Sequence, residues 1–158
     1  MTKESKIDLV HSKITQIGFI FKDIKKHAKL WEELFGVPKF SVLPPHTIKY
    51  FYKEKENDVT VTQAFSRGFN TQLEFVQHIK GESYHQDFLK QGREGLHHIS
   101  IFVKNIEDSI EKLKAAGIKQ LSGGQRGRQA FAHFDTEDTL GVILEIQETK
   151  KRKRKNSR

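Results

Sequence analysis

Apolar side chains in "QIGFIFKDI" (16–24) and "HISIFVKNI" (98–106) first run as strand-like segments, then switch to helical spacing. The first stripe continues through Ile24, Ala28, Trp31 and Phe35, the second through Ile106, Ile110 and Leu113. Asp23 and Asn105 stand where a side chain can cap the free N–H groups of a helix start, and Gly36 and Gly117 where a left-handed residue ends it cheaply. The two stretches superpose at a constant offset, 98 − 16 = 82, which matches Ile17 with Ile99, Lys22 with Lys104, Asp23 with Asn105 and Ile24 with Ile106. A strand–helix unit is therefore used twice.

Period-two segments follow each helix. In the first half they are "TIKYFYK" (47–53), "DVTVTQAF" (58–65) and "TQLEFVQ" (71–77), separated by "KEKEN" and by a turn at Gly68. In the second half they are "IKQLS" (118–122), "GRQAFAHF" (127–134) and "LGVILEIQ" (140–147), separated by "GGQRG" and "DTEDT". The pattern predicts an α+β protein of two βαβββ modules, at 14–80 and 95–148. An extension (1–13) precedes them, a linker with a short helix near Tyr84–Gln91 (81–94) joins them, and a basic tail (149–158) follows.

Alternation along each strand assigns its faces. Ile17, Phe19 and Phe21 turn toward the helix, leaving Gln16 opposite; His97, Ile99, Ile101 and Val103 do the same, leaving His98 opposite. Leu73 and Phe75 face the helix and Glu74 faces away; Val142, Leu144 and Ile146 face the helix and Glu145 faces away. Taken singly, each of these polar residues is what a solvated sheet face shows. The duplication makes them a set: an amide or imidazole on each first strand and a carboxylate on each fourth. Gln16, Glu74, His98 and Glu145 suit one divalent ion per chain, of zinc, cobalt, nickel or manganese type, with room left for substrate.

Composition removes alternatives. The absence of cysteine excludes disulfides, thiolate metal sites and cysteine nucleophiles. The start of the chain is too polar for a secretory signal, and no apolar run approaches the ~18 residues of a membrane helix, so a cytoplasmic protein is expected. The formal charge of +8 owes seven charges to "TKKRKRKNSR" (149–158); 8 − 7 leaves the body near +1, which is no nucleic-acid surface. The tail is expected to be disordered, with nucleic-acid contacts at most nonspecific.

The segments "GREGLHHI", "QLEFVQ" and "DTEDTLGVILEI" resemble the vicinal oxygen chelate superfamily of glyoxalases, bleomycin-resistance proteins and dioxygenases, and most of all its methylmalonyl-CoA epimerase branch. The resemblance spans roughly 14–147. It implies a cupped mixed sheet with helices on the convex face, a metal inside the cup held by Gln16, Glu74, His98 and Glu145, and metal-assisted enolisation of a small carboxylated acyl-CoA thioester or α-oxo compound. In this resemblance the second of the twin histidines, His98, binds metal, and His97 packs on the reverse face. Glu145 becomes the catalytic base, Gln63, Arg126 and Arg128 become substrate contacts, and His46 and His133 become structural supports. A homodimer is expected. Gln16 departs from the histidine usual at its position, and Gln63 stands on the strand from which the epimerases present a carboxylate. Two alternatives remain: a metal-free, drug-sequestering binder, and a non-haem iron dioxygenase, which needs a second histidine ligand.

Overall fold

The computed structural model describes residues 6–9 and 11–150. Strand β1 (Ile14–Ile20) leads into helix α1 (Ile24–Phe35), followed by β2 (Ser41–Val42), β3 (His46–Tyr52), β4 (Lys55–Gly68) and β5 (Thr71–Lys80). Helix α2 (Tyr84–Lys90) joins this module to β6 (Gly95–Phe102), α3 (Ile106–Ala115), β7 (Gln120–Arg126), β8 (Gln129–Phe134), the short α4 (Glu137–Leu140) and β9 (Ile143–Thr149). The predicted caps form: Asp23 and Asn105 accept from Lys26 N and Asp108 N at 3.0 and 2.9 Å. Gly36 ends α1 at φ +64°, and Gly117, at φ +79°, follows the last residues of α3.

The nine strands form one sheet in the order β2-β4-β3-β7-β8-β9-β6-β1-β5, and a further β4–β5 pairing brings it full circle. Within each module the first strand lies parallel to the last, β1 to β5 and β6 to β9; β1 and β6 meet antiparallel at the centre. This centre relates the modules by a pseudo-twofold, because Gln16 pairs with Ser100 and Gly18 with His98. The fold is thus α+β, with a strongly curved sheet enclosing a cup.

Three cores position the cup. Ile24 and Ala28 of α1 bury against Leu73, Phe75 and Ala64, and Ile106 and Leu113 of α3 against Ala132, Leu144 and Ile146. The third core joins Ile20, Val59, Val61, Val76 and Ile143 to Tyr84 and Phe88 of α2. Its members alternate with the helix-facing residues of the same strands, so α2 covers the cup side of the sheet. Ile7, from the amino-terminal extension, packs against the α3 core.

Several predicted breaks lie elsewhere. The separator "KEKEN" shrinks to the two-residue turn Lys53–Glu54, both at positive φ, and the turn placed at Gly68 is Phe69–Asn70. Such turns match the twist of a hairpin. "GGQRG" is not a loop: Gly123 and Gly124 pair with Ala132 and Phe131 inside β7–β8, and the turn falls at Gly127–Arg128. "DTEDT" contains α4. Thr149 belongs to β9, and Lys150 N donates to Arg128 O, so the first two residues assigned to the tail are tied to the sheet; 151–158 lie outside the described residues. Among the described residues no helix is long and apolar enough to cross a membrane.

Candidate metal centre

Gln16, Glu74, His98 and Glu145, from β1, β5, β6 and β9, converge within the cup, and all four are buried. His98 Nε2 lies 3.2 Å from Glu74 Oε2 and 3.9 Å from Glu145 Oε2. Gly18 makes room for this ring, since a Cβ there would fall 1.9 Å from His98 Cε1. Glu145 Oε2 accepts from Ser100 Oγ and, at 2.7 Å, from Gln147 Nε2. Gln63 Nε2 donates to Glu74 Oε1 at 2.6 Å, while Gln63 Oε1 accepts from Arg126 at 3.1 Å. His46 Nε2 also meets Gln63 Oε1, at 2.9 Å, so His46 braces the cup through the glutamine. Gln16 Nε2 donates to Gln72 Oε1 at 2.8 Å, and its Oε1 lies 3.2 Å from Ser100 Oγ, whose proton goes to Glu145.

The structure brings in a residue that the sequence had cast as a support. His133 of β8 stands opposite Glu145 in the β8–β9 register, and its Nε2 lies 3.5 Å from Glu145 Oε1. Ligand atoms of His98, His133 and Glu145 lie within 4.8 Å of one another. The signal was present in "QAFAHF": Ala130, Ala132 and Phe134 pack under α3, which turns Phe131 and His133 into the cup. Tyr84 hydroxyl and Ser122 Oγ hold His133 in place, at 2.9 and 3.0 Å. Arg128, by contrast, is exposed in the turn after β7 and lines no part of the cup.

His97 also differs from expectation. One residue of β6, His97, falls between His98 and Leu96, the partners of adjacent Gly18 and Phe19, so His97 forms a β-bulge that breaks the alternation. Instead of packing on the reverse face with Ile99 and Ile101, it lies against Tyr84, His85 and Phe88 of α2.

The electrostatics favour a cation. Among the described residues, the only basic groups within 4.0 Å of the Glu74 or Glu145 carboxylates are the imidazoles of His98 and His133. Burial pushes the His98 pKa down, but Glu74 and Glu145 outweigh it and raise it. Burial raises the Glu145 pKa, assisted by Glu74 and opposed by His98. Burial and the neighbouring His98 hold His133 well below the usual imidazole range. Buried carboxylates need pairing or a metal. One imidazolium offsets at most one of these two, so a divalent ion fits the donor set. The buried Nε2 of His98, which has no aligned hydrogen-bond partner, points to the same occupant.

A cupped sheet of paired βαβββ modules around an N/O ligand cluster defines a class. The chain belongs to the glyoxalase/bleomycin resistance protein/dioxygenase superfamily, whose family model matches residues 15–134. It is 21% identical over 143 residues to the uncharacterized protein YqjC of Bacillus subtilis, covering 88% of this chain and 94% of that one. Its structure resembles hypothetical protein BH1468 from Bacillus halodurans (TM-score 0.66, 23% identity, 90% of this chain and 98% of that one). It also resembles methylmalonyl-CoA epimerase from Mycobacterium tuberculosis (TM-score 0.61, 12% identity, 87% and 88%). The Streptomyces coelicolor methylmalonyl-CoA epimerase in complex with 2-nitronate-propionyl-CoA is similar too (TM-score 0.58, 17% identity, 87% and 94%).

Proposed function

We propose that the chain is a divalent-metal-dependent isomerase or lyase that enolises a small carboxylated acyl-CoA thioester or α-oxo compound. The observation that carries this reading is the pair of buried carboxylates, Glu74 and Glu145, facing His98 and His133 with no lysine or arginine of the described residues paired to them. His98, Glu145 and Glu74 would hold the ion, with His133 or Gln16 completing the set. The ion supplies Lewis-acid stabilisation of negative charge on neighbouring substrate oxygens.

The protein's own groups supply the rest. Glu145 is the proton carrier: Ser100 and Gln147 fix Oε2, while Oε1 is left facing His133. Burial raises the Glu145 pKa, which makes its carboxylate a stronger proton acceptor than an exposed one. Arg126, steered by Gln63, stands at the cup wall to pair with a substrate carboxylate. The cavity, about 130 Å³, has room for a short acyl head. Pockets for drug-sized ligands measure roughly 300–1,000 Å³, so the cup suits a small reacting group better than a sequestered drug. The reading includes a homodimer, which sedimentation of the purified protein tests.

NMR of methylmalonyl-CoA in deuterium oxide, with zinc-, cobalt-, nickel- or manganese-loaded protein, is expected to show loss of the α-proton signal. Glu145→Gln should slow that exchange by about 100-fold or more, the scale of a positioned general base. Exchange at the wild-type rate in the variant removes Glu145 from the role. Gln16 has its own test by chelator competition: if its amide oxygen coordinates, Gln16→His should tighten zinc and Gln16→Ala weaken it. Equal zinc affinities for the three proteins place Gln16 outside the ligand set.

A further inference from the structure

The mechanism above leaves two buried imidazoles of the described residues unused, His85 and His97, and only His97 touches a proposed ligand of the ion. His97 is 2% exposed, its ring stacks on Tyr84 with centroids 5.1 Å apart, and Phe88 and His85 meet it edge-on at 4.9 and 5.6 Å. Its Nδ1 lies 3.1 Å from Nδ1 of His98, and its Nε2 is buried with no hydrogen-bond partner.

Two ring nitrogens at that distance share one proton, because two facing lone pairs repel and two facing N–H groups collide. Among the described residues no carboxylate pairs with His97, so a charged ring there would be buried without a counter-ion, and the ring is neutral. Two arrangements follow. If His97 donates, a neutral His98 carries its proton on Nε2, the atom that faces Glu74 and Glu145, and cannot ligate. If His98 donates from Nδ1, its Nε2 lone pair points at Glu74, Glu145 and His133.

We propose that His97 is a positioning residue: its Nδ1 accepts a hydrogen bond from Nδ1–H of His98 and so fixes the tautomer and ring plane in which His98 presents Nε2 to a divalent ion. This rests on the reading of the cup as a metal centre. Metal-bound imidazoles usually give this second hydrogen bond to a carboxylate or a carbonyl. A neutral imidazole orients the ring equally well and adds no further negative charge to a site that already holds two carboxylates. The bulge is the device that permits it. In a regular strand, residues 97 and 98 would face opposite sides and their rings could not meet.

Long-range ¹⁵N–¹H correlation on histidine-labelled, zinc-loaded protein is expected to show His97 with a bare Nδ1 and a protonated Nε2, and His98 protonated on Nδ1. Zinc affinity by chelator competition is expected to fall 10- to 100-fold in His97→Phe, which keeps an aromatic ring and loses the acceptor. His97→Asn, whose Oδ1 can stand near the Nδ1 position, should recover most of it. A proton on His97 Nδ1, or unchanged zinc affinity in His97→Phe, overturns the proposal; should that variant not fold, the spectrum of the wild type decides. Failure of the wild type to take up zinc overturns the metal reading itself, whereas full affinity in a folded His97→Phe overturns only the role of His97.

Discussion

Gly18→Ala is expected to empty the cup of metal while leaving most of the fold in place. The backbone at Gly18 is not in the left-handed region, so alanine meets no conformational penalty there. The new Cβ would instead fall 1.9, 2.1 and 2.4 Å from Cε1, Nε2 and Nδ1 of His98. All three contacts are with one imidazole, so the strain is relieved by swinging His98 away from Glu74 and Glu145. Zinc affinity should fall about 100-fold or more, at or beyond the upper end of what loss of a ligand's supporting contacts costs. Circular dichroism should stay close to wild type. Isothermal titration with zinc measures the loss, and wild-type affinity in a folded Gly18→Ala would mean that His98 is not a ligand.

Gly18 also shows what the sequence could and could not disclose. Its pairing with His98 follows from the pseudo-twofold, and the offset between residues 16 and 98 is visible in the chain itself. The same duplication, with period-two alternation, brought Gln16, Glu74, His98 and Glu145 to one face, where the structure gathers them. These features were legible because regular strands and capped helices obey local rules. The bulge at His97 was not, because one unpaired residue reverses a face without changing the hydrophobic pattern.

The "GGQRG" segment differs for a related reason: glycines signal turns, yet Gly123 and Gly124 pair with Ala132 and Phe131 inside the β7–β8 ladder. His133 faces the cup by alternation, but nothing local in the sequence shows that β8 lies against β9 with His133 opposite Glu145. The place of α2 against the cup, and so the contacts of Tyr84 and His85, depends wholly on tertiary packing.

Phe75→Ala is expected to give the largest loss of stability. Phe75 is fully buried beside Glu74 and packs against Phe40, Phe21, Trp31 and Phe19 at ring-centroid distances of 4.4, 5.0, 5.2 and 5.5 Å. Truncating it removes the centre of this aromatic cluster and leaves a cavity that α1 and β5 cannot both close. A cost of about 3–5 kcal/mol is expected, which is a large part of the stability of an ordinary domain. Thermal melts in the presence of a chelator measure it directly.

The same variant tests the cup from the other side. A ligand that binds only the folded state stabilises it by about 2.7 kcal/mol at 100 times its Kd, so zinc at that excess should return a large part of the lost melting temperature to Phe75→Ala. The rescue requires an intact ligand set, because Glu74 sits on the same strand, one residue away, with its side chain on the opposite face. Gly18→Ala, which displaces His98, should show no such recovery at the same zinc concentration. Zinc rescue of both variants alike would mean that the metal binds somewhere other than the cup.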